Sequence, residues 1–148
     1  MDKALEYVEG NGIMSEEDYP YEAEDGNCRF DASRTVTTIS KYLYVKEGDE
    51  EELKAAVATV GPISVAVDAT GFQFYKQGIY SESYLCGNDL YNLNHGVLVT
   101  GYGVSNGDTY WKVKNSWGAS WGMDGYILIS RNSNNLCGIA TDPVYPEL

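Results

Sequence analysis

Apolar residues recur at Met1, Ala4, Leu5 and Val8, the spacing of one helical face, and Gly10 and Gly12 are natural stops, so the chain is expected to open on an amphipathic helix. From Ser15 to Asp31 the periodicity vanishes. The text there, EEDYPYEAEDGNCRFD, is polar and broken by Pro20 and Gly26, and it reads as an irregular loop. β-Branched and aromatic residues dominate TVTTISKYLYV, which places a strand between Thr35 and Val45. A second helix is marked by its start signal as well as its stripe: Asp49 followed by Glu52 resembles a capping box, Leu53, Ala56, Val57 and Val60 form one face, and Gly61-Pro62 ends it.

Beyond that helix the pattern turns to strands. ISVAVDA, Ile63 to Ala69, reads as a buried strand, and Gly71 to Leu90 is loop-like with a helical turn at FQFYKQ. Gly96 to Tyr102, Thr109 to Lys114 and Gly125 to Arg131 read as strands divided by the turn signals SNGD and RNSNN. The expected architecture is an α+β fold, an antiparallel sheet or barrel with a helix packed on it. Residues 1–34 precede that core and 35–148 build it.

Composition agrees with a sheet-rich domain. The 148 residues suffice for one domain with a core; 43% are apolar and 13% aromatic, with 16 Gly and 13 Tyr but only 3 Phe, a mix that favours turns and strands over a helical bundle. Ten basic against 22 acidic residues leave a net charge of −12, much of it in EEDYPYEAED and EGDEEELK. Such a surface repels phosphate backbones and anionic lipid, which excludes nucleic acid and membrane as partners, and its first reading is a solvated acidic face. In an acidic compartment, protonation of these carboxylates near pH ~4 would relieve self-repulsion. No run approaches a membrane span, and MDKALEYVEG lacks the apolar centre of a secretion signal, so no targeting signal is expected within these residues. Cys28, Cys86 and Cys137 show neither CxxC spacing nor nearby histidines, so neither a metal site nor a cofactor is expected. Their odd number leaves one thiol without an internal partner.

The chemistry concentrates around His95, the only histidine. A tight turn at Asn106-Gly107 would pair residues whose numbers sum to 213, and His95 with Asn115 falls three short of that. A wider loop or one bulge would close the difference and bring His95, at the start of one strand, beside Asn115 at the end of its neighbour. There the asparagine oxygen would accept a hydrogen bond from one ring nitrogen and leave the other facing outward, which is how a base is oriented for a nucleophile. Taken singly, each feature has a plainer reading: His95 as a surface or satisfied core residue, Trp117 and Trp121 as core aromatics at a close backbone approach.

In combination they carry a family resemblance. NHGVLVTGYG, YWKVKNSWGASWGMDGYILISR and LCGIA resemble the C-terminal part of the papain-like cysteine endopeptidases, in particular the cathepsin L-like branch, as do MDKALEYVEGNGIMSEEDYPYEA and AAVATVGPISVAVDA; the resemblance runs from Met1 to Leu148. It implies a papain-like right-hand lobe, an antiparallel β-barrel with a packed helix, plus a remnant helix of the left-hand lobe at the N-terminus. It further implies that His95 is the imidazole of a Cys-His pair, Asn115 its orienting amide, Trp117 a shield of their hydrogen bond, and Trp121 a lining of the leaving-group side of the cleft. Cys86 and Cys137 would form a disulfide, and Cys28 would be a half-cystine whose partner lies outside this chain.

The same resemblance expects the nucleophile well upstream of His95, before Met1, together with the glutamine of the oxyanion site. None of the three cysteines has C-G-S-C-W surroundings, and Cys28 in the acidic stretch EDGNCRFD is not expected to be the nucleophile. The expectation is the C-terminal part of an endopeptidase, inactive alone, with apolar surface left to associate with itself, with the N-terminal segment, or with a propeptide-like inhibitor. Peptides or proteins would be its substrates, and the full-length relative would be lysosomal or extracellular and digestive. Around the pocket for the residue two before the scissile bond the resemblance places Met1, Ala66, Leu93, Gly96 and Asp142. Asp142 departs from the pattern, which has a small apolar residue there. A carboxylate at that point would add basic residues to a hydrophobic preference, unless it turns to solvent. Two other readings remain open: a non-catalytic papain-like interaction protein or peptidase regulator, and a relative whose nucleophile is serine.

Overall fold

The computed structural model describes all 148 residues, and the chain divides into two compact units, Met1–Leu43 with Pro146–Leu148, and Tyr44–Tyr145.

In the smaller unit the expected helix forms as α1, Asp2–Asn11, and none of its residues is buried. Gly12 ends it with φ 81° and donates its N–H to the Val8 carbonyl at 2.7 Å. A Cβ at Gly12 would lie 2.3 Å from the Thr35 methyl, so glycine answers both the left-handed backbone and the close approach. Next comes β1 (Ile13–Met14), antiparallel to β2 (Thr35–Thr37). The irregular loop between them is held by polar contacts: Arg29 pairs with Glu22 at 2.8 Å, Arg34 with Asp18, and the Tyr7 and Phe30 rings meet edge to face at 5.7 Å. The single strand expected between Thr35 and Val45 is two, because the run breaks between Thr37 and Lys41; β3 covers Lys41–Tyr44.

The larger unit holds the core. Asp49 caps α2 (Glu50–Thr59), its carboxylate accepting the Glu52 N–H at 3.0 Å, and Leu53, Ala56 and Val57 are buried as the stripe requires. β4 (Ile63–Val67) turns Ile63, Val65 and Val67 inward with no exposed surface. A short 3-10 turn at Phe72–Phe74 realises the expected helical turn, and β5 (Ile79–Tyr80) follows. The remaining strands are β6 (His95–Ser105), β7 (Asp108–Lys114), β8 (Tyr126–Ser130) and β9 (Val144–Glu147). Strand order within this unit is β9-β4-β6-β7-β8-β5, antiparallel except for β5 beside β8. The sheet is open. No ladder joins β5 to the opposite side, so the expected barrel is a strongly covered sheet that does not close.

Trp111, Val113, Ile127, Ile129 and Ile139 fill the sheet's inner face with no exposed surface. Burying each such side chain stabilises the fold by about 1.5–3 kcal/mol. A buried carboxylate sits among them: Glu50 accepts the Trp111 indole N–H at 3.0 Å and the backbone N–H groups of Asn132 at 2.8 Å and Asn135 at 2.9 Å. The sequence pattern had placed Glu50 among the solvated acidic residues ahead of α2.

Candidate active site

The β6-β7 hairpin turns at Asn106 (φ 54°) and Gly107 (φ 92°), both left-handed as a two-residue primed turn requires, and Ser105 faces Asp108. Between Val99 and Gly101 the register shifts by one residue. This bulge accounts for part of the expected offset. The rest arises because Asn115 has left the strand: β7 ends at Lys114, and the Asn115 N–H donates to the Gly125 carbonyl at 3.0 Å. On the other side of the pair, His95 opens β6 opposite Val67 of β4.

The outcome is a contact of 2.8 Å between His95 Nε2 and Asn115 Oδ1. The same oxygen accepts the Ser116 backbone N–H at 2.8 Å, which fixes which end of the amide faces the ring. An amide oxygen can only accept, so Nε2 carries the proton. Nδ1 is then the basic nitrogen, and it makes no hydrogen bond within the chain. Asn115 is buried, and its Nδ2 makes no hydrogen bond within the chain.

Trp117 stacks on the imidazole, centroids 5.1 Å apart and planes 29° from parallel, while Trp121 meets Trp117 edge to face at 5.1 Å. Trp121 is anchored by its N–H to the Phe72 carbonyl at 3.2 Å. Trp117 keeps 40% of its surface exposed, so it covers one face of the ring from water without closing the site. Among the residues named for the substrate pocket, Ala66 pairs directly with Gly96 across β4 and β6, and Leu93 lies against Gly138, where an added Cβ would come within 2.5 Å of its side chain. Asp142 is half-buried just ahead of β9 and follows Thr141, whose hydroxyl donates to the Asn88 carbonyl at 2.6 Å. Met1 is in the smaller unit, as the N-cap of α1.

Cys86 and Cys137 form a disulfide. Cys28 is free and exposed, in the smaller unit, on a cavity of about 300 Å³ lined by Tyr7, Met14 and Phe30. No cluster of three or more His, Cys, Asp or Glu side chains is arranged to hold a metal ion. Two residues at the site escaped the sequence reading. Asp68, at the end of β4, is buried and accepts hydrogen bonds from Thr70, the Gly87 N–H and the Asn94 side chain; Asn94 directly precedes His95. The available signal was a carboxylate ending an otherwise apolar strand, ISVAVDA.

An imidazole oriented by an amide at Nε2, with no hydrogen bond at Nδ1, is the arrangement the sequence led one to expect of a base oriented for a nucleophile. Comparison with known proteins makes that expectation specific. Residues 1–147 match the model of the papain family of cysteine proteases, and the chain belongs to that family. It is 50% identical to cathepsin L of Sarcophaga peregrina and 51% identical to procathepsin L of Rattus norvegicus, alignments that cover 100% and 99% of this chain but 44% and 45% of those proteins. Digestive procathepsin L 3 of the Tenebrio molitor larval midgut superposes with a TM-score of 0.93 at 50% identity, covering 100% of this chain and 48% of that one. Bromelain from Ananas comosus, in complex with the E64 inhibitor, superposes with a TM-score of 0.87 at 42% identity, covering 99% and 68%. The chain thus spans less than half the length of the curated relatives it matches.

Proposed function

We propose that these 148 residues supply the imidazole and the orienting amide of a cathepsin L-like cysteine endopeptidase whose nucleophilic sulfur comes from polypeptide outside them. The observation that carries this reading is the 2.8 Å bond from His95 Nε2 to Asn115 Oδ1, which leaves Nδ1 basic and open.

The chemistry follows from that geometry. A thiol delivered to Nδ1 transfers its proton there, and Asn115 holds the resulting imidazolium through Nε2–H. Pairing with an imidazolium lowers a thiol pKa to about 3–4, so the sulfur is a thiolate in mildly acidic solution. It attacks the peptide carbonyl; the imidazolium then protonates the departing amine, and the acyl-thioester is hydrolysed by water with His95 as base. Trp117, stacked on the ring, keeps water from competing for the His95-Asn115 bond.

None of Cys28, Cys86 and Cys137 serves as the nucleophile in this reading: two are consumed in the disulfide and Cys28 lacks C-G-S-C-W surroundings. The chain by itself therefore does not hydrolyse peptides. α1 buries none of its residues within the chain, which supports association through that face with the nucleophile-bearing segment, with a propeptide-like inhibitor, or with a second copy. The half-buried Asp142 supports acceptance of Arg and Lys beside hydrophobic residues two positions before the scissile bond. A lysosomal or secreted setting fits both the disulfide and the acidic surface.

The test is a fluorogenic cathepsin L-type peptide offered to the pure chain and to the chain mixed with the nucleophile-bearing segment of a cathepsin L relative. Activity should arise in the mixture alone and vanish with His95→Ala. Turnover by the pure chain that a thiol-alkylating reagent abolishes would overturn the reading. No activity in a mixture shown to form a complex would favour a non-catalytic interaction protein.

A further inference from the structure

We infer that Asp68 is a positioning residue for His95: its buried carboxylate, acting through the Asn94 amide, fixes the start of β6 and with it the orientation of the imidazole. The inference rests on the reading of His95 as the base, but it is tested on the ring itself and not on turnover.

Asp68 keeps only 6% of its surface exposed. A carboxylate so placed is costly unless every lone pair is used. Here Oδ1 accepts from the Thr70 N–H at 3.1 Å, from the Thr70 hydroxyl and from Asn94 Nδ2 at 3.0 Å, and Oδ2 accepts from the Gly87 N–H at 2.8 Å. Nothing in the β4 ladder requires this charge. The strand would be equally well paired with a neutral residue at its end, so the reason for the carboxylate lies in what it holds.

What it holds is Asn94, an exposed residue fixed at three points. The Nδ2 group goes to Asp68, Oδ1 accepts the Ala69 N–H at 3.0 Å, and the backbone N–H donates to the Val67 carbonyl at 3.0 Å. A carboxylate can only accept, so it fixes which end of the Asn94 amide points each way and thereby leaves Oδ1 for Ala69. Residues 67–69 thus clamp the residue before His95 with three hydrogen bonds. Asn115 reaches the ring from the other side. The 2.8 Å contact survives only if both anchors hold, since a shift of a few tenths of an ångström at the His95 Cα moves the ring along Nε2–Oδ1. The Asp68 N–H also donates to the Cys137 carbonyl at 2.9 Å, and Gly87 adjoins Cys86, so the disulfide braces the same node.

Because His95 is the only histidine, ring-labelled ¹⁵N-histidine in the full chain gives a single pair of imidazole nitrogen signals. In the unaltered chain, with the ring neutral, these should be widely separated, as for one tautomer protonated at Nε2. Asn94→Ala cuts the link while leaving Asp68 its bonds to Thr70 and Gly87, and it should collapse the separation towards the tautomer-averaged values. Asp68→Asn should do the same. Thr70→Ala, which removes a bond to Asp68 but not the link to Asn94, should leave the signals in place. The proposal is overturned if Asn94→Ala, folded by amide dispersion, keeps the wild-type signals, or if Thr70→Ala shifts them as far. Should Asp68→Asn fail to fold, Asn94→Ala still decides.

Discussion

The indole N–H of Trp111 donates to the Glu50 carboxylate at 3.0 Å, joining the first residue of α2 to the centre of β7 inside the core. Trp111 has no exposed surface, and the guanidinium of the buried Arg131 lies 5.6 Å from its ring centroid. One residue thus meets a carboxylate at its edge and a cation at its face. Glu50 also holds the N–H groups of Asn132 and Asn135, the segment that turns the chain from β8 towards the disulfide. Glu50→Ala orphans the buried Trp111 N–H, at about 1–3 kcal/mol, and two part-buried backbone N–H groups at less, and should lower the unfolding free energy by about 2–4 kcal/mol in urea titration. Glu50→Gln keeps one acceptor and should cost about half as much. A change in either variant below about 1 kcal/mol would mean that the three donors find other acceptors.

Acid should weaken the fold through Asp68. Burial pushes its pKa up, but the hydrogen bonds from Thr70, Gly87 and Asn94 outweigh burial and hold it below the ordinary value of 3.8. A folded-state pKa below the unfolded one gives stability that is present in full above the unfolded value and is lost as pH falls through the folded one. The window therefore lies below about pH 4. Asp68→Asn should be less stable than the unaltered chain at pH 7, and the gap between them should narrow in urea titrations carried out below that point. A gap that widened on acidification would contradict the direction of the shift.

Reduction should cost the larger unit much of its stability. The Cys86–Cys137 bridge spans a separation of 51 residues, for which loop-closure entropy in the unfolded chain corresponds to about 4 kcal/mol. Native-state alkylation should add one label, at the exposed Cys28, and two more only after reduction. The reduced, alkylated chain should unfold at a lower urea concentration by an amount matching that free energy; an unchanged midpoint would show that the bridge closes a loop already ordered in the unfolded state.

These polar anchors separate what the sequence made legible from what it did not. Period and punctuation sufficed for α2, β4 and the β6-β7 hairpin, because each carries its own signal: a cap at Asp49, alternation at Ile63, Val65 and Val67, and a primed turn at Asn106-Gly107. His95 and Asn115 were legible as a pair because the hairpin brings them together with few degrees of freedom. Glu50 and Asp68 were not. A Glu within DEEEL and an Asp at a strand end look solvated, and only the chain segments folded over them, at Asn132, Asn135 and Gly87, convert them into buried acceptors. Sheet closure was out of reach for a similar reason. Alternation along a strand shows which side is buried but not whether β5 finds a second neighbour, and it finds only β8.

Asn115 should matter less to catalysis than His95, and by a margin the geometry explains. Removing the imidazole removes the proton acceptor, for a loss of about 10²–10⁴-fold in kcat. Replacing Asn115 with Ala leaves the acceptor in place but frees the ring to rotate and to change tautomer, although Trp117 still stacks on it. In the nucleophile-bearing mixture, Asn115→Ala should therefore lower kcat by less than His95→Ala does, with KM little changed in either. Equal losses would indicate that the ring has no productive position without the amide.

Asp142 carries the prediction about substrate choice. It is half-buried between the buried Thr141 and Pro143, on a segment braced by the Asn135 side chain, which donates to the Thr141 hydroxyl and accepts the Ala140 N–H, each at 2.8 Å. A partly desolvated carboxylate attracts a guanidinium more strongly than an exposed one does. A single charge-assisted hydrogen bond there would contribute about 1.5 kcal/mol, close to a tenfold preference. With the nucleophile-bearing segment present, Asp142→Ala should lower kcat/KM about tenfold for peptides with Arg two residues before the scissile bond and leave those with Leu there nearly unaffected. The comparison is internal, since both peptides report on one enzyme preparation, so loss of folded protein cannot imitate it. An Arg-to-Leu ratio that Asp142→Ala does not move would place the carboxylate outside the pocket.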